Sequence, residues 1–181
     1  LPRADFVMGN HEQALLDSRK RADMSEFAAA AHNWSESNLE GRYDEAFTSR
    51  FRMKIVNDIF CAVHASPCEP GEWSYLYSSY GARDAFMAED FHLCFLGHTH
   101  IPAFFTESSS QLFLEEGTVL QLEKEERYFV NPGSVGQPRD GNPKASFCIF
   151  DPDEGTISFQ RCEYDAEREA RDIIDAGLPK Y

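Results

Sequence analysis

The chain has 181 residues, 42% apolar and 27% charged, with 17 basic against 31 acidic side chains for a net charge of −14. This composition excludes a disordered chain, and the acidic balance argues against duplex DNA or RNA, whose backbone is gripped by clustered Lys and Arg. No window approaches the roughly 18 uninterrupted apolar residues of a membrane-spanning helix. The five cysteines contain no C-x-x-C pair and match neither a zinc pattern nor a disulfide framework, so a reducing cytoplasm is the expected compartment.

Residues 5–8 read as a short buried strand, followed by Gly9-Asn10-His11-Glu12 and a helix-like stretch opening at 13–16. Ser25 is placed to cap a helix over 25–32, where four alanines in a row are strong helix formers. A further helix is expected over 37–50, broken near Gly41. The apolar run 58–63 is a strand ending in His64-Ala65-Ser66-Pro67. The loop 67–81 then carries Trp73, Tyr75, Tyr77 and Tyr80, read as core or rim packing with stacking on a nucleobase as the alternative. Residues 83–89 form a short helix, and the apolar run 91–96 is a strand leading into Gly97-His98-Thr99-His100.

Beyond Ile101 the texture changes to short β-like runs at 104–105, 111–114, 119–122 and 127–130. Runs 145–150 and 156–161 flank the hairpin loop 151–155. Asp165 caps a last helix over 166–176, which Gly177 ends before Pro179. There is no repeat, low-complexity tract or linker, so a single domain is expected over 1–181.

The chemistry sits at strand ends. In extended backbone, residues i and i+2 share a face, so His98 and His100 are expected to project together, with Gly97 allowing a sharp turn beside them. Neutral imidazole is the commonest protein metal ligand. Three strands each end in a loop offering His, or Asn plus His, and open α/β sheets bind ligands outside the carboxyl ends of their strands. One shared site is the economical reading. A chain this acidic offers no basic patch for an anion, so metal ions would have to neutralise an anionic ligand. His32 and His92 read as structural.

Gly9-Asn10-His11-Glu12, Val63-His64-Ala65 and Gly97-His98-Thr99-His100 resemble, in order, the motifs of the calcineurin-like metallophosphoesterases. The segment 131–141 (Asn-Pro-Gly-Ser-Val-Gly-Gln-Pro-Arg-Asp-Gly) and the terminal Gly177-Leu178-Pro179 resemble the bacterial branch, which is similar to phosphodiesterases, serine/threonine phosphatases and dinucleoside-polyphosphate hydrolases. The resemblance implies an α/β (α+β) fold, a four-layer α-β-β-α sandwich of two mixed sheets. The family's opening Asp-x-His and Gly-Asp motifs do not occur here. The chain is therefore expected to lack the first βαβ portion, about 60 residues at roughly 30 per βα unit. On that reading the chain alone is expected to bind metal weakly and hydrolyse poorly; a naturally shortened, inactive relative is the alternative. Glu12 stands where the family usually has Asp, and Ala65 where it usually has Gly.

By this resemblance, Asn10, His64 and His98 would hold one metal ion and His100 a second. Mixed N and O donors without thiolate point to Mn, Fe, Zn or Co, as two divalent or trivalent ions. His11 would protonate the leaving oxygen or stabilise phosphoryl charge. Glu12 either orients the His11 ring or is simply a first-turn acid favoured by the helix dipole. Arg139 either reaches the substrate phosphate or forms a surface ion pair with Asp140 or another acid. The implied reaction is metal-dependent hydrolysis of a phosphomonoester or phosphodiester by in-line attack of a metal-bound hydroxide. The substrate would be a small-molecule phosphoester or a phosphoprotein, with neither duplex nucleic acid nor membrane as partner. The competing readings are a dinucleoside-polyphosphate hydrolase or protein phosphatase on the same site, and a catalytically silent binding module on the same fold.

Overall fold

The structure, a computed structural model, describes residues 4–22, 24–39, 42, 45–108 and 111–179. In chain order its elements are β1 (Phe6–Val7), α1 (Asn10–Leu16), α2 (Glu26–Asn38), α3 (Glu45–Thr48), β2 (Phe51–Arg52), β3 (Lys54–Val56), β4 (Cys61–Val63), α4 (Ser79–Ala88) and β5 (Leu93–Phe95). There follow β6 (Ala103–Thr106), β7 (Gln111–Phe113), β8 (Val119–Gln121), β9 (Tyr128–Asn131), β10 (Ala145–Asp151), β11 (Thr156–Cys162) and α5 (Ala166–Asp175). They divide into two compact units, one formed by the chain up to Arg52 with the segment from Asp165, the other by Met53–Tyr164.

The second unit is built on two sheets. The larger has six strands in the order β3-β4-β5-β9-β6-β7, with β4, β5 and β9 parallel to one another and the outer pairings antiparallel. The smaller is antiparallel throughout, in the order β10-β11-β8. The central strands are apolar on both faces, as a sheet covered on both sides requires. On β9, Phe129 joins a cluster with Ala82, Ala85 and Phe86 of α4, while Tyr128 and Val130 join Ile157 and Phe159 of the smaller sheet. Phe105 and Phe104 of β6 divide between the same two clusters. This period-two alternation packs α4 on one face of the large sheet and the small sheet on the other.

Because β4, β5 and β9 are parallel neighbours, their carboxyl ends lie along one edge of the sheet. His64 follows β4, the segment Gly97–His100 follows β5 by one residue, and Asn131 ends β9. The edge is stitched by the Gly97 N–H, which donates to the His64 carbonyl at 2.9 Å.

In the first unit, β1 and β2 pair in parallel, Phe6 opposite Phe51. Arg21 ties the helices of this unit together, its guanidinium meeting both Glu36 oxygens at 2.7 Å and the Ala14 carbonyl at 3.1 Å. At the other end, Asp165 accepts the Arg168 N–H to start α5, and Gly177 at φ 74° ends it.

Several boundaries differ from the sequence reading. Helix α1 opens at Asn10, not at Gln13, because Gly9 serves as N-cap and its N–H is taken by Glu12 Oε2 at 2.9 Å. Helix α2, capped by Ser25, runs on through Asn38, so Ser37 and Asn38 belong to it and not to a further helix. Of the helix expected over 37–50, only Glu45–Thr48 is separately helical, and Gly41 lies outside the described residues. Helix α4 starts at Ser79, four residues early, because the Ser78 hydroxyl accepts the Gly81 N–H. The strand β3 was not foreseen. Its register against β4, Lys54 opposite Val63, is a tertiary pairing that three residues of pattern do not announce.

Candidate metal centre

His64 and His98 meet at the edge of the large sheet. His64 Nε2 lies 3.2 Å from His98 Nδ1, with ring centroids 5.0 Å apart at 62°. The loop after β4 packs on both rings. Tyr75 stacks on His98 at 4.0 Å and 20°, Trp73 presents an edge to His64 at 5.6 Å and 77°, and Tyr77 stacks behind Tyr75 at 5.0 Å and 11°. His98 is buried at 8% exposure. Burial, with His64 and His100 nearby, pushes its pKa down to about 4, so at neutral pH the ring is uncharged.

The Gly97–His100 segment is a turn, which corrects the extended expectation. His98 and His100 both sit in the left-handed region, at φ 64° and 61°, while Gly97 has no positive φ. The strain therefore falls on the histidines and not on the glycine, an arrangement that persists only where the surroundings over-determine it. They do here. Asn131, 1% exposed, donates its amide to the Gly97 carbonyl at 2.8 Å and to Thr99 Oγ1 at 2.9 Å, and accepts the Gly133 N–H at 2.9 Å. Gly133 (φ 85°) has no room for a side chain, since a Cβ there would come within 2.8 Å of Pro102 and Ser146.

His100 is held from the opposite loop. Its Nδ1 lies 2.8 Å from the Gln137 carbonyl, which fixes the proton on Nδ1 and the lone pair on Nε2. The Arg139 N–H donates to the His100 carbonyl at 3.1 Å, and the Arg139 guanidinium meets Gln137 Oε1. The alternative pairing of Arg139 with Asp140 is not made, because Asp140 is engaged by the nearly buried Arg161. Beyond His100, Ile101 and Pro102 form part of a cavity of about 680 Å³ that Glu115, Asp140, Asn142 and Arg161 also line.

Asn10, His11 and Glu12 belong to the first unit. Asn10 is the first residue of α1 and His11 is exposed on that first turn. Glu12 accepts the Gly9 N–H through one carboxylate oxygen, at 2.9 Å. His32 is buried on α2, and His92 sets its Nε2 3.1 Å from the Glu123 carbonyl. All five cysteines are free; Cys61 and Cys94 face each other across β4 and β5 and are buried, while Cys148 is half-buried.

Sequence reasoning weighed the aromatic loop only as packing or as a stacking surface for substrate. Its contact with the two imidazoles was legible in one signal, the spacing of Trp73, Tyr75 and Tyr77 at alternate positions just after a histidine-bearing strand end. Gln137 acts through its backbone and carries no sequence signal.

Two nitrogens bound to one ion at about 2.1 Å, with about 90–110° between them, lie roughly 3.0–3.4 Å apart. The His64–His98 separation of 3.2 Å falls in that range, and one shared proton bridges the pair when no ion does. The donor chemistry fits one edge of a divalent-metal shell. It does not complete one: among the described residues, no three His, Cys, Asp or Glu side chains are grouped to hold an ion.

A mixed α/β protein with histidine-bearing loops at the carboxyl edge of a central sheet defines a class, and comparison with known proteins makes it specific. Residues 3–155 match the calcineurin-like phosphoesterase superfamily domain. The chain is 34% identical over 178 residues to an uncharacterized protein of Methanocaldococcus jannaschii, covering 97% of this chain and 71% of that one. The fold superposes on a crystal structure of a metallophosphoesterase from Sphaerobacter thermophilus with a TM-score of 0.83 at 35% identity, over 96% of this chain and 72% of that one. A hypothetical protein of Pyrococcus horikoshii OT3 shares the fold at a TM-score of 0.74 and 16% identity, over 97% of this chain and 69% of that one. The chain belongs to the calcineurin-like phosphoesterase superfamily. Members of that family typically bind divalent metals, and none of the described helices is long and apolar enough to cross a membrane.

Proposed function

We propose that the protein is a divalent-metal-dependent phosphoesterase that hydrolyses a phosphomonoester or phosphodiester, carried by a small molecule or a phosphoprotein. The observation that carries this reading is the His64–His98 pair, two imidazoles at the spacing of ligands on one ion. In this reading Asn10, His64 and His98 would hold one ion and His100, through Nε2, a second. Bound divalent ions would supply positive charge to the phosphoryl oxygens and acidify a water toward neutral pH.

The remaining steps fall to the chain's own groups. His11, exposed on the first turn of α1, donates a proton to the leaving oxygen. Glu12, bound to the Gly9 N–H, holds that turn in place, so its part is positional. Arg139, anchored by its own N–H on the His100 carbonyl, adds a guanidinium charge for the phosphate.

The test is metal binding and phosphate release measured on the same preparations. The protein loaded with Mn²⁺, Zn²⁺, Co²⁺ or Fe²⁺ should release nitrophenol from nitrophenyl phosphate or its diester, and a chelator should abolish the release. His64→Ala and His98→Ala should lose bound metal and activity together. A protein that binds none of the four ions and cleaves neither ester is the silent binding module instead.

A further inference from the structure

The loop between Pro67 and Ser78 supplies more than packing. We propose that Tyr75, with Trp73 beside it, is a positioning residue that sets the His98 and His64 rings so that their nitrogens face one another at ligand spacing. The inference rests on the metal-centre reading given above.

A ring held only by its backbone rotates about its side-chain torsions, and His98 starts from a left-handed backbone that gives its ring no helix or strand to lean on. Tyr75 covers the face of that ring at 4.0 Å and 20°, an offset-stacked arrangement. Stacking restrains the imidazole plane and leaves its edge untouched, and the edge carries the lone pairs. Nδ1 thus remains directed at His64 Nε2. On the far side, Trp73 meets the His64 ring edge-to-face while Tyr75 covers His98, so one short loop packs on both imidazoles.

Two features separate this from ordinary packing. Tyr75 and Tyr77 are 47% and 52% exposed, so the loop spends large aromatic side chains at the surface while the unit's core lies elsewhere. Trp73 is itself left-handed at φ 55°, an uncommon conformation for a bulky residue, and that backbone turn is what delivers its ring to His64. The Tyr75 hydroxyl has no hydrogen-bond partner among the described residues, which leaves its π face as the acting part. Phenylalanine should therefore replace it and alanine should not.

The experiment has a metal-free arm and a metal arm. In the metal-free protein, the ring current of Tyr75 moves the His98 ring protons upfield in the NMR spectrum. Tyr75→Ala should return them toward unstacked positions and Tyr75→Phe should leave them shifted. In the metal arm, Mn²⁺ or Zn²⁺ titration should show affinity falling about 10-fold in Tyr75→Ala, the lower end of what loss of a ligand-orienting partner costs, and recovering in Tyr75→Phe. A thermal melt confirms folding, and Tyr75→Leu, which fills the space without a π face, replaces the alanine variant should that one unfold. Unmoved His98 resonances overturn the proposal, as does undiminished affinity in a variant whose resonances have moved. A wild-type protein that binds neither ion overturns the metal-centre reading itself. The wild-type titration alone distinguishes that failure from a failure of the positioning role.

Discussion

Segments 9–12 and 97–100 both follow a short strand, both begin with glycine, and both carry histidine within the next three residues. After Gly9 the backbone enters a helix at once, Glu12 reaches back to the glycine N–H, and His11 is left exposed. After Gly97 the backbone turns twice through the left-handed region, and His98 is buried between His64 and Tyr75. Similar sequence patterns thus prepare different chemistry. A buried ring flanked by other imidazoles is kept neutral and suited to donating a lone pair.

The largest expected effect tests that division directly. His11→Ala should lower turnover of alkyl phosphates by about 10²–10⁴-fold, the usual yield of general acid catalysis, with bound metal unchanged. The deficit should shrink for nitrophenyl esters, whose leaving group needs little protonation. His98→Ala should lose metal and activity in parallel, whatever the leaving group. Metal stoichiometry measured beside rates on both substrates decides it, and a His11→Ala protein stripped of metal would erase the contrast.

Asn131→Ala comes next. It removes the amide that holds the Gly97 carbonyl and Thr99 hydroxyl and the oxygen that holds the Gly133 N–H, all in a buried setting. A loss of about 3 kcal/mol of stability is expected in denaturant unfolding, with metal binding weakened because the turn is no longer over-determined.

Smaller effects separate the two turns by their strain. His100→Gly should be more stable than His100→Ala by about 1 kcal/mol, since glycine adopts φ 61° without the steric cost an L-residue bears there. Both variants should lose the second ion, so stability and function move in opposite directions at this position. Glu12→Ala should cost about 1 kcal/mol by removing the cap at Gly9. Glu12→Gln keeps an oxygen for that N–H, and it should retain most of the stability and most of the turnover. Equal rate losses in the two variants, with His11→Ala also defective, would give Glu12 an electrostatic role toward His11 instead.

Much of this was legible because it depends on local period and composition. The apolar runs of β6 and β9 read as strands, and Asp151–Gly155 reads as a hairpin loop because Asp151 Oδ1 collects the N–H groups of Asp153 and Glu154 while Gly155 takes φ 63°. Ser25 and Asp165 announced their helices for the same reason, a side-chain oxygen placed three residues ahead of an orphan N–H. The ordered Asn-His, His and His-x-His motifs named the family. Gly9 as an N-cap gave no such signal, since glycine contributes no side-chain oxygen and the cap comes from Glu12 behind it.

The sequence by itself determined that three histidine-bearing segments stand at strand ends. Only the tertiary structure decided how they are presented. The parallel order β4-β5-β9 sets the His64, His98 and Asn131 loops on one edge, and long-range hydrogen bonds from Asn131 and Gln137 hold two histidines in backbone conformations that local sequence disfavours. The Tyr75 stack that orients His98 joins residues 23 positions apart in the chain. Local propensity is a sum over neighbours in sequence, whereas each of these contacts exists only once the sheet has brought its strand ends together.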